Sequence, residues 1–92
     1  MADEPLTLSE TTNIAGVAAL HTALSERIDA ANGAALVVDC SAVRTIDAAS
    51  LQCLLMAKRL AEHAGGTLEL RSASEDFERY VDYVGLRTQL LN

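Results

Sequence analysis

Residues 44–58 read RTIDAASLQCLLMAK, and the fold turns on how this stretch is parsed. A short β-type run from Val43 to Ile46 reaches Asp47, and a long helical pattern begins at once. An aspartate at that point can cap the first orphan amides of a helix. Such a strand-to-helix turn is a place where small proteins keep a switch or a phosphate site. Yet the first two helical residues, Ala48 and Ala49, carry no functional group.

Outward from this turn, the helical pattern runs from about Ala48 to Ala64 and stops at Gly65-Gly66. Before it lies ALVVDC (35–40), a continuous apolar run of strand length, as expected for a strand covered on both faces. Earlier still, TTNIAGVAALHTALSERIDAAN (11–32) is helical, with Ile14, Val17, Leu20, Leu24 and Ile28 on one stripe. Thr12 or Asn13 caps its start, and Asn32-Gly33 ends it. PLTLS (5–9) reads as a first strand at a sheet edge, because Pro5 lacks a donor.

After the glycine pair, TLELR (67–71) alternates with a polar face. SASEDFERYVDYVGL (72–86) then reads as a helix capped by Ser72 or Ser74, with Phe77, Tyr80, Val81 and Val84 as its apolar stripe. The order β-α-β-α-β-α with short connections predicts the α/β class. The expectation is a single domain over residues 1–92, with a mainly parallel or mixed sheet of four to five strands and about three to four helices.

Bulk properties narrow the function. A net charge of −6 argues against nucleic acid or an anionic membrane as partner. No apolar run reaches the roughly 18–20 residues of a membrane span, and MADEPLTLSE has no signal-peptide character. Cys40 and Cys53, without CxxC spacing, fit free thiols in a reducing, cytoplasmic setting.

On a helical wheel, Cys53, Ala57, Leu60, Ala61 and Ala64 cluster on the side expected to face the sheet, flanked by Leu54 and Met56. Lys58 and Glu62 point to water on the opposite side. Leu51 and Leu55 fall in the middle of that polar side, one turn apart and just after Ala48. Two readings are open. The pair is a small apolar docking patch, or a neighbouring helix or the carboxyl tail RTQLLN folds over it.

Chemistry-bearing residues are few. Asp39 and Asp47 belong near the carboxyl ends of strands and flank one turn. Two carboxylates can hold a metal or a phosphoryl group, but no third acid or lysine completes such a pocket, so capping and turn bonds are the favoured roles. His21 and His63 have no ligand at metal spacing, and no motif ties a histidine to Cys40. No catalytic constellation, metal site or cofactor is expected.

Taken together, VVDCSAV (37–43), TIDAASLQCLL (45–55), GGTLEL (65–70) and VGL (84–86) resemble the STAS domain of bacterial anti-sigma-factor antagonists, in order and spacing. The short Asp47–Gln52 variant is similar to stand-alone STAS proteins of chemotaxis-type kinase systems, and the resemblance implies signal transduction and regulation of transcription. It also implies a kinase-like protein partner, an anti-sigma factor or sensory kinase, docking on the Asp47 turn and second helix. Asp47, Ala48, Ser50, Leu51, Leu55 and Lys58 would form that surface, with Asp39 as a supporting acid. In the family the hydroxyl residue after the aspartate is phosphorylated; here that position is Ala48, and Ser50 is the nearest replacement acceptor. As the alternative, the resemblance also allows an accessory subunit of an ABC-type lipid transporter ATPase.

Overall fold

In the computed structural model, which describes residues 5–91 apart from the Ile14 side chain, strands and helices alternate along the chain. Strand β1 (Leu6–Thr7) and strand β2 (Thr11–Thr12) precede a 3-10 turn, Ile14–Gly16, and helix α1 (Val17–Ala31). Strands β3 (Ala35–Asp39) and β4 (Thr45–Ile46) lead to helix α2 (Ala48–His63). Strand β5 (Thr67–Arg71), helix α3 (Glu75–Tyr83) and helix α4 (Arg87–Leu91) complete the order.

The strands form two parallel sheets, one ordered β1-β3-β5 and the other β2-β4. β3 is central, with Leu6 opposite Val38 on one side and Asp39 opposite Arg71 on the other. The expected α/β class and parallel pairing hold, and β1 lies at an edge. β3 is less enclosed than its apolar run suggested: Leu36 and Val38 are buried, Val37 is half-buried and Ala35 is exposed. Its second face is only partly covered.

Local signals explain the element boundaries. The Asn13 side chain accepts from the Ala15 N–H at 3.1 Å, which starts the 3-10 turn. Asn32 closes α1 in the left-handed region at φ 48°. Ser74 caps α3 by accepting from the Phe77 N–H at 3.0 Å, and its own hydroxyl donates to the Val43 carbonyl at 2.6 Å. That bond ties the start of α3 to the loop that leads into β4. Leu24, Val38, Leu51, Leu54, Phe77 and Val81 are fully buried. Each contributes about 1.5–3 kcal/mol from removal of its side chain from water.

Candidate functional site

The β4–α2 turn is set by Asp47. Its backbone is extended (φ −96°, ψ 171°), and its Oδ1 accepts from the Ser50 N–H at 2.9 Å. Asp47 is therefore the helix cap, and α2 starts at Ala48 as the pattern required. Its amide donates to the Thr12 carbonyl at 3.2 Å, so the small β2-β4 sheet holds the turn in place.

Asp39 fills a turn role as well. Its Oδ1 accepts from the Ser41 N–H at 2.9 Å, and this backbone bond, helped by the Ser41 side chain, holds its carboxyl below the usual range. Among the described residues no group of His, Cys, Asp and Glu could hold a metal ion. Cys40 and Cys53 are free and buried. Burial, helped by the Asp39 charge, pushes the Cys40 thiol up to about 12, and burial raises Cys53 too. Neither thiol is activated as a nucleophile.

Ala48 is exposed and lies on the rim of a groove of about 340 Å³. Its lining comes from three segments: Thr11 to Asn13 around β2, Thr45 to Asp47 around β4, and Tyr80, Tyr83 and Val84 at the end of α3. Tyr83, at the end of α3, is 89% exposed. Its role here was not legible, because its position in the α3 pattern reads only as the rim of an apolar stripe.

Several expected site residues lie elsewhere. Leu51 and Leu55 do not form a surface patch: they are 0% and 8% exposed. The carboxyl tail forms α4, which packs against α2 and buries Leu90. Lys58, one turn beyond Leu55, donates to the carbonyls of Gln89 and Leu90 at 2.9 and 3.5 Å, which places the tail along this stripe. Lys58 thus holds α4 rather than projecting freely into water. Ser50 is 0% exposed and its Oγ has no hydrogen-bond partner, so a kinase cannot reach it in the folded chain.

The wheel was also rotated on its other side. Met56 and Leu60, expected to face the sheet, are 57% and 48% exposed. Arg59 and His63, their neighbours at helical spacing, were the signal that this face is wet.

The structure is thus a small parallel α/β domain whose capped strand-to-helix turn leaves Ala48 open to solvent. The family model described as Mlab, STAS domain matches residues 2–92, and the chain belongs to this family. STAS domains are generally non-catalytic interaction modules. A comparison with curated proteins gives no match. No helix among the described residues is long and apolar enough to cross a membrane.

Proposed function

We propose that this chain is a non-enzymatic, cytoplasmic regulatory module that docks a kinase-like protein, of the anti-sigma-factor or sensory-kinase type, through the Asp47 turn. Ala48 carries this reading. It is exposed at the first position of α2, beside the groove that Tyr83 borders. The family's logic puts a phosphorylated hydroxyl there, and phosphate adds close to two negative charges that disrupt docking. A methyl cannot be charged, so the turn stays in its docking-competent state. The footprint we assign is Asp47, Ala48, Gln52 and Tyr83; Ser50, Leu51 and Leu55 are too buried to belong to it.

The test is Ala48→Glu in the full chain, used as bait in cells that produce the protein naturally. The helix dipole favours an acid at this position, so the melting temperature should not change. Capture of a kinase-like partner by the unmodified chain, and at least tenfold less by the variant, is the expected result. Equal capture by both chains would overturn the reading, and so would a lipid-transporter ATPase as the captured protein.

A further inference from the structure

We infer that the free edge of β5 takes a second copy of this chain, β5 against β5, antiparallel about a two-fold axis at Leu70. β5 ends the three-stranded sheet, with β3 on one side and no strand among the described residues on the other. The Cys40 N–H donates to the Arg71 carbonyl at 3.0 Å. Arg71, and by strand alternation Glu69 and Thr67, therefore pair inward to β3. Leu68 and Leu70 turn their amides and carbonyls to the outer edge, where a further strand can take them up. This edge lines a groove of about 330 Å³, bounded by Lys58 and Glu62 of α2 and by Leu90 and Leu91 of α4. It shares no lining residue with the groove beside Ala48, so the inference stands apart from the docking reading. Extended backbone is what such an edge binds.

The side chains decide which strand fits. Leu68 is buried and Leu70 half-buried, both against the core. Glu69 and Arg71 are exposed on the opposite face and form an ion pair at 3.0 Å. An axis at Leu70 lets the two Leu70 residues exchange both of their backbone hydrogen bonds. It also sets each Glu69 opposite the Arg71 of the other copy. These are the closer, non-hydrogen-bonded positions, about 4.5 Å apart at Cα. The four charges then alternate in sign. Asp39, beside Arg71 on the inner strand, is already engaged by the Ser41 N–H. Other registers lose this match. An axis at Glu69 or at Arg71 brings like charges together, and an axis at Leu68 sets Glu69 opposite Thr67. The Leu70 register is self-complementary, as a two-fold interface requires, and it closes the assembly at two copies.

The experiment is sedimentation velocity on the full chain from micromolar to millimolar concentration. A dimer should form, and the amides of Leu68 and Leu70 should shift on dilution in ¹⁵N spectra while that of Ser50 stays in place. Glu69→Arg and Arg71→Glu, each alone, set like charges opposite at both pairs and should weaken the dimer about tenfold or more. Both positions are exposed, so the melting temperature of the dilute chain should hold. An equimolar mixture of the two variants should dimerise again, because every charge on one strand then faces its opposite on the other. A chain that stays monomeric at millimolar concentration would overturn the inference and mean that these charges guard the edge instead. It would equally fall if the dimer ignored both single variants, or if their mixture associated no more tightly than either variant alone.

Discussion

Ser50 and Ala48 are two positions apart on α2 and have opposite surroundings. Ala48 is exposed, whereas the Ser50 hydroxyl is sealed in the interior without a partner. The Ser50 amide is satisfied by Asp47, so only the hydroxyl is left over. A buried, unpaired hydroxyl costs about 1–3 kcal/mol in desolvation. Ser50→Ala removes that group and creates almost no cavity. It should leave the melting temperature unchanged or raise it by several degrees in thermal unfolding, since about 1 kcal/mol moves a domain of this size by roughly 4–8 °C. A clear fall in melting temperature would mean that the hydroxyl has a stabilising partner, such as a buried water. Ser50→Asp should unfold the domain, because it buries a charge beside the core. A replacement switch at Ser50 would therefore require α2 to open.

At the scale of elements, α2 and α4 form one unit. A five-residue helix is far below the length that is stable alone in water, and α4 persists because Leu90 is buried and Lys58 binds its last carbonyls. Leu51→Asp tests this arrangement. It places a charge at a 0% exposed site, and should cost about 4 kcal/mol or more, a large share of a small domain's stability. Chemical denaturation of the variant should show a largely unfolded chain; a native-like midpoint would mean that the tail moves aside and the stripe is available for docking after all. Helices α1 to α3 and strand β5 were legible from the 3.6- and 2-residue periods, and β3 from its apolar run. Two-residue strands are too short to show a period, and Thr11–Thr12, read as the start of the first helix, form β2 instead. Asp47, Ser74 and Asn32 were legible as caps for the same local reason. The facing of α2 was not: a wheel records spacing along one helix, whereas Leu51 and Leu55 are buried in a core cluster that also takes in Leu90 of the carboxyl tail, more than thirty residues away in sequence. The groove beside Ala48 joins β2, β4 and α3, and no single segment of the sequence encodes that meeting.

At the scale of the whole molecule, stability depends on how β3 and β5 begin side by side. Each strand follows a helix that ends in a tight turn, and the two turns touch. Gly66 is the contact point: a Cβ built there would lie 2.8 Å from the Ala34 carbonyl oxygen and 3.0 Å from the Gly33 backbone. Neither neighbour is a flexible side-chain end, so a methyl must push the strands apart at the register Ala35 opposite Thr67. Its predecessor Gly65 meets nothing within 4 Å but has φ +87°. The two glycines are therefore needed for different reasons, one for space and one for backbone conformation. Gly65→Asn should be mild, within about 1 kcal/mol, because asparagine tolerates the left-handed region better than other side chains. Gly66→Ala should cost more, about 1–3 kcal/mol, as overpacking against backbone usually does. Hydrogen exchange should show faster loss of amide protection at the start of β3 and β5 than at the Asp47 turn. A Gly66→Ala chain as stable as the unmodified one, with unchanged protection in both strands, would mean that the sheet does not depend on this approach.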